Sequence, residues 1–70
     1  MVNAAQIKDQ MEVKGSDGKH IGTVDGIEGQ RVRLASGGMY HYIELDMVES
    51  IKDGAVRLNK TAAEATRPWH

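Results

Sequence analysis

Three histidines, His20, His41 and His70, are the side chains of this chain best suited to a transition metal. Four aspartates, Asp17, Asp25, Asp46 and Asp53, could pair for acid–base work or hold calcium. Their spacing argues against both uses. Zinc and copper ligands cluster at short intervals, whereas His20 and His41 are well separated and His70 is terminal. A calcium loop needs acidic residues at alternate positions and a closing Glu. Asp17 and Asp53 each precede a glycine, where turn formation accounts for them. His20, beside a turn, reads as solvated, and His41 as a half-buried strand residue. Ser16, Ser36 and Ser50 lack both a base partner and the glycine frame of a nucleophile elbow or a phosphate cradle. The reading is a chain with no catalytic residue, no metal ligand and no cofactor.

Two further sets suit binding rather than reaction. Arg31 and Arg33 alternate with Val32 and Leu34, so they point outward from a strand, as does Arg57 beside Val56 and Leu58. With Tyr40 and Tyr42 available to stack on bases, they form a candidate nucleic-acid surface. Against it, the chain has nine basic and ten acidic residues and a net charge of −1, without the local basic excess of a phosphate-binding face. The second set is Tyr40, Tyr42, Met47 and Trp69, with Pro68 beside the indole. These residue types are enriched at the centres of protein interfaces, which makes them the candidate protein-contact surface.

The elements that must position these residues are short strands. Seventy residues form one domain, residues 1–70, near the lower size limit for a self-supporting core, and without cysteine there is no disulfide to help. A homodimer is therefore a reasonable expectation. No run approaches the eighteen apolar residues of a membrane span, and no secretory signal opens the chain, so no membrane association and a cytoplasmic location are expected. A core of Ile, Val, Leu and Met without Phe suits strands.

In chain order, Asn3 caps a helical turn over Ala4 to Gln6, and a first strand runs from about Gln10 to Lys14 above Ile7. Asp17-Gly18 predicts a type I′ hairpin and Glu28-Gly29 a second reversal. Between them Ile21, Val24 and Ile27 fall three apart, which a regular strand cannot bury on one side; either both faces are covered or, the favoured reading, a bulge near Gly22 or Gly26 resets the phase. Ala35 to Gly38 reads as a flexible connection. Met39 to Leu45 alternates, with Ile43 and Leu45 inward. Val48 and Ile51, again three apart, suggest one turn of tight helix, and Asp53-Gly54 turns the chain into Ala55 to Leu58. Thr61 and Glu64 have capping-box spacing and open a helical tail, residues 59–70, which Pro68 stops. A terminal indole is expected to dock on an apolar surface, of this chain or of a second copy. The local connections predict an antiparallel meander of five or six strands, closed on itself over residues 10–58.

The segments Ser16 to Asp25, Arg31 to Leu34, His41 to Ile51 and Gly54 to Leu58 resemble the PRC-barrel family, and in particular a small bacterial group of unknown function allied to it. The family pattern usually has proline where this chain has Glu44, and often tryptophan where it has Met47. The resemblance implies an SH3-like β-barrel without catalytic residues, of a kind found in a photosynthetic reaction-centre subunit and in a ribosome maturation factor. No functional residue is carried over.

The expectation is thus an all-β domain, a small SH3-like or PRC-type barrel of about five antiparallel strands with short terminal helical turns. It would act as a binding or assembly module for an unidentified protein partner. The alternative is nucleic-acid or ribosome-associated binding through Arg31, Arg33 and Arg57.

Overall fold

The structure is a computed structural model and describes residues 4–69. The Asn3 cap and His70 lie outside the described residues. A 3-10 turn at Ala4–Gln6 leads into six strands: β1 (Glu12–Lys14), β2 (His20–Glu28), β3 (Arg31–Ser36), β4 (Met39–Glu44), β5 (Val48–Lys52) and β6 (Ala55–Leu58). A 3-10 turn at Leu45–Met47 separates β4 from β5, and the tail comprises α1 (Ala62–Thr66) and a final 3-10 turn, Arg67–Trp69. The domain is mostly β, as the aliphatic composition predicts.

The strands form one sheet in the order β4-β3-β2-β1-β6-β5, and this corrects the expected topology twice. The sheet is not closed into a barrel: β4 and β5 are its two edges. They are consecutive in sequence, so the curl of the sheet must bring their linked ends together, and the Leu45–Met47 turn occupies that corner instead of a ladder. Nor is the sheet a pure meander, because β1 and β6 run parallel, with Val13 opposite Val56. Reading one connection at a time misses this pair, since the whole of β2 to β5 is its crossover.

Bulges settle the two irregular spacings. Val24 pairs with Leu34 and Gly26 with Arg33, leaving Asp25 as the extra residue, so Val24 and Ile27 face the same side as Leu34 and Val32. Gly26 adopts φ 138°, a conformation that disfavours any side chain. In β5, Val48 opposes Leu58 and Ser50 opposes Arg57. The extra residue is Glu49, so it is a bulge and not a helical turn that turns Val48 and Ile51 to one side; the tight helix lies just before, at Leu45–Met47. The inward side collects Val13, Val32, Leu34, Val56 and Leu58, all fully buried, with Ile7, Ile21, Val24, Ile43, Val48 and Ala65 completing the core.

The turns also differ in detail. Asp53 (φ 54°) and Gly54 (φ 75°) form the two-residue turn with both φ positive that type I′ requires, as do Gly37 and Gly38; the Ala35 to Gly38 connection is therefore a tight hairpin with Ala35 and Ser36 inside β3. At the first hairpin only Gly18 has positive φ, and its N–H donates to Gly15 O at 2.9 Å, so the reversal spans residues 15–18 rather than forming a type I′ turn at Asp17-Gly18. The second reversal centres on Gly29-Gln30, one residue later than expected, because Glu28 pairs with Arg31.

Candidate functional site

The start of the tail is held by three devices. The Thr61 hydroxyl accepts the Glu64 N–H at 3.2 Å and the Glu64 carboxylate accepts the Thr61 N–H at 3.1 Å, completing the capping box that opens α1. Asp17 Oδ1 accepts N–H groups from Lys19 and from Ala62, each at 3.3 Å, so one carboxylate serves its own turn and the first residue of α1. Ser16 N–H donates to Lys60 O at 2.8 Å, and Gly15 lies so close that an added Cβ would meet Ala62 N. At the far end Trp69 lies flat on His41, ring centres 4.0 Å apart and planes 1° from parallel. Within this chain the tail therefore docks on its own sheet.

That docking divides the candidate protein-contact residues. Tyr42, Met47 and Trp69 come together in one shallow groove, which runs between the end of β4 and the tail and is also lined by Ile43, Glu44 and Pro68. Tyr40 is not among its lining residues. Met47 and Trp69 pack against the core, whereas Tyr40 and Tyr42 stand on the solvent face of β4, 63% and 46% exposed. Met39, also 63% exposed, lies at the start of the same strand but on its other face. Its place in the alternation aligned it with the inward side of Ile43, and only the position of the Gly37-Gly38 hairpin leaves it beyond the core.

The arginines share the solvent face with Tyr40 and Tyr42, but they do not form a stripe. Paired residues place Arg31 and Arg33 on β3, then Thr23 on β2, Glu12 on β1 and finally Arg57 on β6. Three strand spacings, about 14 Å, separate Arg33 from Arg57. Each guanidinium already has an acceptor. Arg31 Nε is 3.6 Å from Glu44, and Arg57 donates to Ser16 O at 3.2 Å. Arg33 is the most engaged, with Nε 3.0 Å from Asp25, Nη1 3.7 Å from Glu28 and Nη2 donating to the Asp25 carbonyl at 3.3 Å. The Nε itself is shielded from solvent and makes no aligned hydrogen bond, yet at 3.0 Å the Asp25 charge compensates it. The same guanidinium sits 5.5 Å from the centre of the Tyr40 ring, and the Tyr42 hydroxyl donates to Glu28 at 2.8 Å. Tyr40, Tyr42, Arg33, Asp25 and Glu28 thus form one network in which two carboxylates face a single guanidinium.

The carboxylates of Glu12, Asp17 and Glu64 serve structure. His20 is exposed, with Nδ1 2.9 Å from Glu12 Oε2, and that hydrogen bond holds the Glu12 carboxyl below its ordinary value. At Asp17 partial desolvation opposes ionisation, but the Lys19 and Ala62 N–H bonds outweigh it and lower the pKa. The Thr61 N–H and hydroxyl do the same for Glu64. Among the described residues no three His, Asp or Glu side chains come together in a group that could hold a metal ion. No helix of the described residues is long and apolar enough to cross a membrane.

The Gly15 and Asp17 contacts with the tail could not be found from spacing alone, since Asp17 and Ala62 are 45 positions apart. The chain fits a bacterial family model described as "Uncharacterized protein conserved in bacteria (DUF2171)" over residues 7–66, a span that takes in all six strands and α1. No curated protein matches it. The matched span covers most of the chain, so this protein belongs to that bacterial family of unknown function.

Proposed function

We propose that this protein is a non-catalytic contact module that recognises another protein through β4 and the adjoining tail groove. The observation that carries the reading is the concentration of exposed large hydrophobic side chains, Met39, Tyr40 and Tyr42, on a single strand among the described residues. Isolated surface hydrophobics are ordinary, whereas three large ones gathered on one edge strand beside a groove are what partner surfaces present. The PRC-type resemblance of the segments around Ser16 to Asp25 and His41 to Ile51 supports the same reading, because such domains bind rather than react. The open curled sheet would then be a variant of that barrel, working in the cytoplasm.

The test is capture of partners from a bacterial lysate by the purified chain, compared with Tyr40→Ala and Tyr42→Ala variants. A bound protein lost with both substitutions supports the module; equal capture by all three chains removes β4 as its surface. The nucleic-acid alternative is disfavoured by the acids that already occupy Arg31 and Arg33. Salt-dependent retardation of labelled RNA or DNA, weakened by Arg33→Ala, would restore it.

A further inference from the structure

The two edges of the sheet are not equivalent. β5 is interrupted by the Glu49 bulge and ends in Lys52, both devices that discourage strand addition. β4 has neither: six residues, no bulge, no proline, no lysine, and a single charged side chain, Glu44, at its end. Ser36 and Met39 close a two-residue hairpin and so form a hydrogen-bonded pair. Alternation makes Leu34 with His41 and Val32 with Ile43 the next such pairs, and the Leu45 N–H to Gln30 O bond, 2.8 Å, continues the series. By the same alternation Tyr40, Tyr42 and Glu44 aim their backbone N–H and C=O groups away from β3, toward the free edge.

From this geometry we infer that β4 pairs antiparallel with β4 of a second copy of this chain across a two-fold axis, with Tyr40 of one copy opposite Tyr42 of the other. The inference rests on the contact-module reading and names its partner. In that register two hydrogen-bonded pairs form, Tyr40 with Tyr42 and its symmetry equivalent, and each exposed ring gains an aromatic cross-strand neighbour. Met39 falls opposite Ile43 of the second copy. Glu44 falls opposite the Gly38 turn, where an added Cβ would meet nothing of its own chain within 4 Å, so the two Glu44 carboxylates do not face one another. A second copy satisfies the backbone, covers the strand's apolar side chains and keeps its one charge apart. The contact is small, at the lower end of specific interfaces, so the dimer exchanges with monomer as concentration changes.

The experiment uses the purified full chain. Light scattering or sedimentation across micromolar to millimolar concentrations is expected to show a two-chain mass that falls toward one chain on dilution. Tyr42→Lys, which sets a charge into the pairing, is expected to remain monomeric with an unchanged far-UV circular dichroism spectrum. The chain has no cysteine, so disulfide trapping reads the register directly. A mixture of Tyr40→Cys and Tyr42→Cys chains should cross-link on oxidation, because an opposed pair has Cα atoms about 5.5 Å apart. Either variant alone should not, since two-residue offsets exceed the reach of a disulfide. A single-chain mass at every concentration overturns the proposal, as does a dimer that survives Tyr42→Lys or cross-links only within one variant. Those results leave lysate capture of a different protein untouched, so failure here is distinguishable from failure of the module reading.

Discussion

The imidazole of His41 lies parallel to the indole of Trp69 with ring centres 4.0 Å apart, joining the penultimate residue of the chain to a strand at the sheet edge. His41 is half-buried, and the indole packs on the core beside it. Replacing Trp69 with Ala removes this cover. A loss of about 2 kcal/mol is expected for a partly buried aromatic, which lowers the melting midpoint by roughly 8–16 °C at this size. Cutting the chain after Leu58 should cost more, because Ala65 leaves the core as well. An unchanged midpoint in thermal melting of both would show that the tail has no structural part.

Asp17 and Glu64 give the tail a defined response to acid. Both carboxyls ionise more readily folded than unfolded, with pKa values held below the ordinary 3.8 and 4.5. Their stabilisation is therefore full above the unfolded values and disappears as the pH falls through the folded ones. Melting followed from pH 7 downward should lose midpoint from about pH 5. Asp17→Asn should start lower at neutral pH and show a shallower acid limb. An identical acid limb in wild type and variant would remove Asp17 from the account.

Gly15 is required by contact and not by a left-handed backbone. A Cβ there would meet Ala62 N and the Thr61 carbonyl carbon, both main-chain atoms that cannot rotate away. Gly15→Ala is expected to cost about 2 kcal/mol by forcing the tail off the first hairpin. Amide exchange should report it as faster exchange at Ala62 and Ala65 than in wild type. Equal exchange at those two sites would mean that the loop yields instead.

Gly54 makes the opposite case, with open space around its Cβ position and φ 75°. Gly54→Ala should cost about 1 kcal/mol through backbone strain alone. Asp53→Asn, at φ 54°, should be near neutral, because Asn tolerates this conformation as readily as Asp. Denaturant midpoints for the two variants check the contrast; equal losses would count against a type I′ turn.

Much of this architecture was legible from residue spacing. Thr61 with Glu64 marked the start of α1, Asp53-Gly54 marked a turn, and the three-apart Val24 and Ile27 favoured a bulge near Gly22 or Gly26, which Asp25 supplies. Each is a local rule, set by side-chain reach or permitted φ within a few residues. The same rule misjudged Val48 and Ile51, since a bulge and a tight helical turn give the same spacing, and placed the Asp17-Gly18 turn by its dipeptide when a bond from Gly18 to Gly15 defines it. For the candidate surface, residue type singled out Tyr40, Tyr42, Met47 and Trp69, but not that Trp69 and Met47 would pack on the core while the tyrosines stayed outside.

The sequence by itself determined a small all-β domain, its strand-bearing segments and its capped tail, because alternation, glycine conformations and capping act between near neighbours. Only the tertiary structure decided that β1 pairs in parallel with β6, that the sheet stays open at β4 and β5, and that Asp17 reaches Ala62. Those outcomes depend on which distant segments bury the most apolar surface together, and no local spacing records that competition.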